Sequence, residues 1–162
     1  MRARHLLLTA AAGGLLVGGG IIGSAVATPS STPAPAPTLR VDGRLVGSED
    51  GPTKAKQDGV ELKTKDDTTV TVFTLTYGPG TFSGWHSHPG IVVAVVEKGA
   101  VVRETACSEE TFTAGQAFTE VGPHNVRHTG TGDAVLRITR IYPTSEFAEP
   151  RIDEPEPVCR QS

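Results

Sequence analysis

The chain has 162 residues, with 15 Lys and Arg residues against 18 Asp and Glu residues, which gives a formal net charge of −3 at pH 7. No run of basic residues could hold a row of phosphates, so nucleic acid is excluded as an expected partner. The length suits one folded domain with one hydrophobic core, and the sequence contains no internal repeat.

The first 27 residues have the composition of a signal peptide. Arg2 and Arg4 give a basic start, an apolar stretch without acidic residues runs over residues 6–22, and small residues end the segment at Ala27. We expect cleavage after Ala27, secretion of the mature protein and no stable membrane anchor. Retention as an anchor is the alternative, but the apolar stretch is shorter than the about 20 residues that span a bilayer.

Residues 28–38 alternate proline with small residues, as in the stretch TPAPAPT. This composition is typical of a semi-rigid, extended linker, and it lacks the large apolar side chains that build a core. The folded domain is therefore expected to cover residues 39–162.

After the linker, short β-rich segments alternate with glycine-containing turns, and no stretch has a persuasive helical repeat. We therefore predict an all-β domain. The segment Ile91–Val96 is apolar at every position, which predicts a strand that is buried on both sides or packed against a partner. The predicted strands are Leu39–Val46, Val60–Thr64, Thr68–Tyr77, Thr81–His88, Ile91–Val96, Ala100–Thr105, Ala117–Val121, Asn125–His128 and Ala134–Tyr142.

The two cysteines, Cys107 and Cys159, are expected to form a disulfide, because an exported protein meets an oxidising environment. The bridge would join the C-terminal tail to the body of the domain. Chain entropy gives about 4 kcal/mol of stabilisation for a loop of this size. Two free thiols are the alternative.

The stretch GTFSGWHSHPG, residues 80–90, places two histidines one residue apart, directly behind the single tryptophan. In an extended strand, side chains at positions i and i+2 lie on the same face, about 6.5 to 7 Å apart along the backbone. His86 and His88 can therefore converge on one point, which predicts one half of a metal site. The alternative is a pair of histidines that make ordinary hydrogen bonds on a strand face.

The spacing of Gly80, His86 and His88 resembles the first motif of the cupin family. The segment GQAFTEVGPHNVRHTG, residues 115–130, is similar to the second motif of that family. The resemblance implies a cupin double-stranded β-helix, which is a jelly-roll barrel, and it implies that His124 is a third metal ligand.

Two departures from the family pattern affect the ligand set. Cupins commonly carry a glutamate ligand three or four residues after the second histidine, where this chain has Val92 and Val93. Cupins also carry an asparagine after the histidine of the second motif, and this chain has His128 at that position. His128 either supports the site from outside or replaces His124 as the ligand. Both cannot bind the same metal, because four residues of strand cover about 13 Å. Glu120 is a spare carboxylate and an alternative ligand, but we expect it to be solvated at a strand end.

Three neutral imidazoles that leave coordination positions open suit a divalent metal, which could be zinc, manganese, copper, nickel or iron. The leading interpretation is an exported single-domain cupin that presents this metal to a small molecule inside the barrel. No catalytic residue is assigned, and any enzymatic activity would be metal-dependent, as in oxygenase-like or isomerase-like cupins. The alternative is a non-catalytic module for a small ligand such as a sugar, with a vestigial or structural metal site. A homodimer is a further expectation.

Overall fold

In the computed structural model, which describes residues 27–148 and 150–159, the chain forms twelve strands and two short 3₁₀ turns. The predicted signal peptide lies outside the described residues except for Ala27. Within the described ranges, no helix is long and apolar enough to cross a bilayer. The strands are β1 (Ala36–Arg44), β2 (Thr53–Gln57), β3 (Val60–Thr64), β4 (Thr68–Tyr77), β5 (His86–Ser87), β6 (Ile91–Lys98), β7 (Ala100–Glu104), β8 (Glu109–Thr113), β9 (Ala117–Glu120), β10 (Asn125–Arg127), β11 (Ala134–Pro143) and β12 (Ile152–Asp153), and the turns are Ser48–Asp50 and Thr144–Glu146.

Most of the strands belong to two layers that face each other across the core. The first layer has the order β1-β4-β11-β6-β9, with antiparallel pairing throughout. The second layer contains β10-β7-β8, and bridges from Phe82 to Arg127 and from His86 to His124 continue it to the pair β5-β12. This arrangement is the jelly roll of the cupin double-stranded β-helix, so the predicted all-β fold class is confirmed.

The core lies between the two layers and takes side chains from the inward face of each. The ring of Phe118 on β9 stacks on that of Phe112 on β8, with centroids 4.4 Å apart, and this contact joins the layers. Full burial of a large apolar side chain contributes about 1.5–3 kcal/mol. The buried cluster contains Tyr77, Val92, Ala94, Val96, Val101, Phe112, Phe118, Val126, Ala134, Leu136 and Ile138.

Strand β6 differs from the prediction for its apolar segment. Val92 and Val96 are 0% and 1% exposed, whereas Ile91 and Val95 are 49% and 40% exposed. The second layer covers only the inward side of the strand, because successive side chains point to opposite faces. Burial on both sides is therefore wrong for the chain by itself, and packing against a partner stays a prediction.

Most of the other predicted strands are confirmed, and β3 and β4 have the predicted bounds. The sequence does not predict β2, β8 and β12, whose sequences TKAKQ, EETFT and ID are largely polar and exposed. β2 and β12 bury no side chain and β8 buries only Phe112, so no apolar alternation marks them. β5 is shorter than the predicted Thr81–His88, and residues before it pair through separate hydrogen bonds, such as Ser83 N to Val126 O at 2.8 Å.

Strand β1 begins before the predicted domain boundary at Leu39. Ala36 already pairs with Thr76 of β4, so the end of the predicted linker belongs to the first layer. The register shifts between Thr38 and Val41, and Leu39 has a positive φ of 53° there. An irregularity of this kind is a β-bulge, which lets the strand bend around the barrel.

The rest of the proline-rich segment lies along the domain. The backbone N–H of Ser31 donates to the carbonyl of Phe82 at 3.0 Å, and that of Thr28 donates to the carbonyl of Glu154 at 3.1 Å. These hydrogen bonds hold residues 28–35 against the body although the segment lacks large apolar side chains.

Cys107 and Cys159 form a disulfide, as predicted. The bridge joins the connection between β7 and β8 to the C-terminal tail. The tail also adds strand β12 to β5, in which Asp153 pairs with His86. The disulfide therefore anchors a segment that passes directly beside the histidine motif.

Gly90, directly before β6, has a φ of 76°, and a Cβ at this position would overlap the carbonyl of Ile141 and the Cα of Tyr142. We predict that Gly90→Ala lowers the free energy of unfolding by about 3 kcal/mol or more, because an unfavourable φ adds to overlap with a strand backbone. Gly80→Ala is the matched control, since its φ is 73° but no atom lies within 4 Å of the added carbon. That variant should lose only about 1–2 kcal/mol. Urea unfolding measures both, and equal losses would contradict the close approach at Gly90.

Candidate metal centre

His86 and His88 project from the same face of the segment around β5, with ring centroids 4.7 Å apart. Nδ1 of His86 lies 2.8 Å from the carbonyl of Gly84, and Nδ1 of His88 lies 2.8 Å from the carbonyl of Pro150. A carbonyl only accepts hydrogen bonds, so the network assigns the proton to Nδ1 in both rings and leaves the Nε2 lone pairs free. The convergence predicted from the i, i+2 spacing is confirmed.

His124 comes from the segment directly before β10. Its backbone and that of His86 exchange two hydrogen bonds of 2.9 Å, which fixes the two segments in register. Nδ1 of His124 lies 2.8 Å from the carbonyl of Gly122, so Nε2 is again the free nitrogen. The ring centroid of His124 is 4.3 Å from that of His86 and 5.4 Å from that of His88. The structure therefore brings together the three histidines named from the two motifs.

The three histidines offer nitrogen atoms that all lie within 4.8 Å of one another. Nε2 of His124 is buried and has no hydrogen-bond partner among the described residues. Leaving a buried polar atom unpaired costs about 1–3 kcal/mol, and a metal ion at this point would satisfy it. Burial, followed by the neighbouring rings of His124 and His88, lowers the pKa of His86 to about 3, which favours the neutral, ligating form. The residues therefore fit a metal ion.

Glu120 lies at the cluster and not in solvent, so the expectation of a solvated strand end is wrong. The residue is 8% exposed, and its Oε2 lies 3.5 Å from Nε2 of His88 and 3.5 Å from Nε2 of His124. Two ligand atoms on one tetrahedral zinc ion are about 3.4 Å apart, given the usual bond lengths. The carboxylate oxygen therefore has the separation from both nitrogens that a further ligand would have.

Glu120 lies across from the strand position at which the first motif lacks its glutamate. Val92 of β6 and Glu120 of β9 are directly opposite each other in the antiparallel pair. Cβ atoms of opposite residues are about 4.5–5.5 Å apart, so a carboxylate on β9 reaches the space beside Val92. Burial raises the pKa of Glu120, but the neighbouring imidazoles of His124 and His88 outweigh it and hold the pKa well below its usual range. The group is therefore an ionised carboxylate.

His128 does not join the cluster. It is 4% exposed, and its Nδ1 and Nε2 lie 2.7 Å and 2.5 Å from the carbonyls of Ala100 and Gly132. Both ring nitrogens are engaged by backbone groups at the start of β7 and in the loop before β11. The structure thus places His124, and not His128, beside His86 and His88.

A cavity of about 290 Å³ lies beside His86 and His88, between the two layers. Its wall is largely apolar, with a few polar side chains among the apolar ones. Burial, together with the negative charge of Glu120, raises the pKa of Tyr77 well above its ordinary value, so the phenol keeps its proton. The lining includes Phe73, Leu136 and Ile138 among the apolar residues, and Tyr77, Glu120 and Arg140 among the polar ones.

The C-terminal tail orients His88. The carbonyl of Pro150 lies 2.8 Å from Nδ1 of His88 and also accepts a hydrogen bond of 2.8 Å from Nη1 of Arg140. The tail is held in place by the pairing of β12 with β5 and by a hydrogen bond of 2.8 Å from Ser87 Oγ to Glu154 Oε1. A segment distant in sequence therefore sets the orientation of one histidine.

Sequence reasoning missed the roles of Tyr77, Arg140 and the Pro150 carbonyl at this site. Only Glu120 carried a local signal, because it precedes His124 by four residues and follows a strand pattern that places it on the inward face. The other groups come from β4, β11 and the tail. No spacing along the chain indicates that these elements meet.

No family model and no curated protein matches the sequence. Among solved structures, the chain is similar to a Cupin 2 conserved barrel domain protein from Salinispora arenicola CNS-205, with 15% identity and a TM-score of 0.43 over 47% of this chain and 65% of that one. It is also similar to recombinant oxalate oxidase in complex with glycolate, with 20% identity and a TM-score of 0.40 over 43% of this chain and 40% of that one. A cupin domain from Bordetella pertussis Tohama I has 26% identity and a TM-score of 0.40 over 56% of this chain and 93% of that one.

The chain spans less than two thirds of the length of the first two of these structures. The chain's own layer order, its motifs and its clustered side chains identify the cupin fold. It is a cupin barrel with a three-histidine group that could hold a metal ion.

We predict that replacing both cysteines, in Cys107→Ser/Cys159→Ser, weakens zinc binding by about 10- to 100-fold, because the released tail no longer holds the Pro150 carbonyl on His88. Competition with a chromogenic chelator measures the zinc affinity. Circular dichroism, at a temperature where both proteins are folded, separates this effect from unfolding. A variant that loses stability but binds zinc as tightly as the parent would show that the tail does not orient the ligand.

Proposed function

We propose that this chain is a metal-binding cupin in which His86, His88, His124 and Glu120 hold a divalent metal ion and present it to a small molecule in the cavity. The observation that carries the proposal is the buried, unpartnered Nε2 of His124, which lies at the centre of three converging imidazoles and a carboxylate. Folding leaves this atom without a hydrogen bond, and a metal ion is the group that its neighbours jointly favour.

The donor set defines which metals suit the site. Imidazole nitrogen suits zinc, copper, nickel and iron, and the added carboxylate oxygen also suits manganese. The Nδ1 hydrogen bonds to backbone carbonyls select the tautomer and orient each ring, which is the usual support for metal-bound histidines. The neighbouring cavity leaves room for water or a substrate beside the ligands.

Polar groups on the cavity wall support catalysis over passive binding. Tyr77 is a protonated phenol that can donate a hydrogen bond to a bound molecule, and Arg140 brings a positive charge to the same wall. A bound metal would supply Lewis-acid polarisation or an activated water or oxygen molecule. We therefore favour a metal-dependent enzyme of small molecules, and a non-catalytic binding module is the alternative to be tested.

The test of the site is a series of single substitutions measured by metal content and by calorimetric titration with zinc. His86→Ala, His88→Ala and His124→Ala should each lose most of the bound metal, because each removes a nitrogen that lies beside the other two. Glu120→Gln keeps the shape and removes the charge, and it should bind zinc about 10- to 100-fold more weakly.

His128→Ala is the control for loss of a buried imidazole outside the cluster, and Glu97→Gln is the control for loss of a carboxylate paired with a surface arginine. Both variants should retain the metal, with any loss of stability read separately from thermal unfolding. Full metal binding by all three histidine variants would exclude the site. Metal binding without turnover of any small molecule would favour the binding module.

We also propose that the protein is exported and that its mature form begins at Thr28. The disulfide supports an oxidising compartment. The docked Thr28 N–H, which donates to Glu154, supports a mature chain that begins within an ordered segment.

The proposed homodimer would cover the exposed apolar side of β6, at Ile91 and Val95, and sedimentation velocity measures it.

Intact mass spectrometry of the secreted protein should give the mass of residues 28–162 less two hydrogens, and reduction should restore those two hydrogens. The reason is that cleavage follows Ala27 and that the only two cysteines are joined. A mass that includes the first 27 residues would contradict cleavage, and reactive thiols in the unreduced protein would contradict the bridge.

A further inference from the structure

Arg140 is the buried cation of the cavity wall. It lies on β11 and is 7% exposed, and its inward side chain stands opposite Val92 on one side and Thr71 on the other. Val92 in turn stands opposite Glu120. Neighbouring strands are about 4.7–4.9 Å apart, so Arg140 and the carboxylate of the metal site flank Val92 in a single inward row of about 10 Å.

The charge of Arg140 has no carboxylate partner within salt-bridge distance among residues 27–148 and 150–159. The other two arginines of the cavity wall differ, because Arg40 pairs with Asp42 at 3.0 Å and Arg151 pairs with Asp153 at 2.6 Å. Burial lowers the pKa of Arg140, since the charged form loses water contacts, but arginine stays protonated in proteins. The cavity therefore contains a buried positive charge without a direct salt bridge among the described residues, and the more distant Asp42, which pairs with Arg40, is an acid that attracts it.

Aromatic rings and one carbonyl hold the guanidinium in place. Its Cζ lies 5.8 Å from the ring centroid of Phe73 and 5.0 Å from that of Tyr142, and Nη1 donates to the carbonyl of Pro150. Among the described residues, its five N–H donors make one hydrogen bond of standard geometry, to Pro150, and the phenol of Tyr142 also interacts with the guanidinium. The remaining donors form a planar, charged fork, which matches the two oxygens of a carboxylate.

The guanidinium also lies close to the ring of His88. The carbonyl of Pro150 accepts hydrogen bonds of 2.8 Å from both Arg140 Nη1 and His88 Nδ1, so these two nitrogens are at most about 5.6 Å apart. Arg140, His88 and Glu120 line the same cavity, so one small molecule can contact Arg140 and the space in front of the histidine cluster together. The cavity of about 290 Å³ sets a limit on its size.

We propose that the cavity binds a small carboxylate, with the carboxylate on Arg140 and a second oxygen, such as a hydroxyl, directed to the metal held by the histidines. This inference rests on the proposed metal site for the second contact only. The apolar wall formed by Phe73, Leu136 and Ile138 then surrounds the short carbon skeleton. A cation-lined, desolvated wall favours an anion over its neutral analogue, because the buried charge of Arg140 would otherwise stay unpaired.

The test uses lactate and lactamide, which differ in charge and hardly in shape, and inorganic phosphate as a competing class of anion. Calorimetry gives their affinities for the full chain loaded with Co²⁺, whose visible absorption changes when an oxygen enters the coordination sphere. Lactate should bind at least about 10-fold more tightly than lactamide, the size of one charge-assisted interaction. Arg140→Gln should lose that factor, and Arg140→Lys should recover only part of it, because lysine lacks the planar fork.

Arg137→Gln is the matched control, since Arg137 lies on the same strand but on the outward face, where its Nε bonds to Glu97 at 3.0 Å. It should bind lactate as the parent does. Equal affinity of the parent for lactate and lactamide would overturn the proposal without any variant. The proposal can therefore be tested even if Arg140→Gln does not fold. Phosphate that binds more tightly than lactate, and does so through Arg140, would overturn the carboxylate class.

Binding measurements on the metal-free protein test the anion site independently of the metal site. Arg140-dependent binding of lactate there, in a protein that takes up no Co²⁺, would uphold the anion site and refute the metal site. Normal Co²⁺ uptake with no Arg140 dependence for lactate would do the reverse. An absorption change on adding lactate to the Co²⁺ form, absent in Arg140→Gln, would support both contacts together.

Discussion

The pair of backbone hydrogen bonds between His86 and His124 is the constraint on which the rest of the site depends. Each residue donates its N–H to the other's carbonyl at 2.9 Å, so two segments distant in sequence are locked side by side. The same residues carry two of the three converging imidazoles. The relative position of these two imidazoles is therefore a property of the second layer, and they cannot separate without breaking its strand pairing.

The ring nitrogens that make no hydrogen bond lie close together in the site. Each of the three rings satisfies Nδ1 with a backbone carbonyl at 2.8 Å, which leaves the Nε2 atoms facing one another and Glu120. Burying these groups opposes folding, because an imidazole nitrogen without a hydrogen-bond donor loses its hydration and gains no hydrogen bond in exchange. Metal binding would supply the missing interactions, so metal affinity and folding stability are linked in this protein.

Both ends of the described chain contribute to the cavity. Residues 28–35 lie along one side, and the tail supplies the Pro150 carbonyl that contacts both His88 and Arg140. The Cys107–Cys159 bridge ties that tail to the body. The barrel thus uses both ends of its described chain to close the space where a ligand would bind, and the disulfide secures one of them.

The sequence by itself determined the all-β fold, the positions of the longer strands, the three histidines and the disulfide, since each is marked by local alternation, by a spaced motif or by the only two cysteines. It did not reveal the largely polar strands β2, β8 and β12, because at most one side chain of each is buried and no alternation results. Only the tertiary structure showed that Glu120 lies beside His88 and His124 and that Arg140 faces the same cavity. The reason is that both roles depend on cross-strand register: Val92 stands between them through two pairings that join β9, β6 and β11. Register arises from packing across the barrel, and spacing along the chain does not encode it.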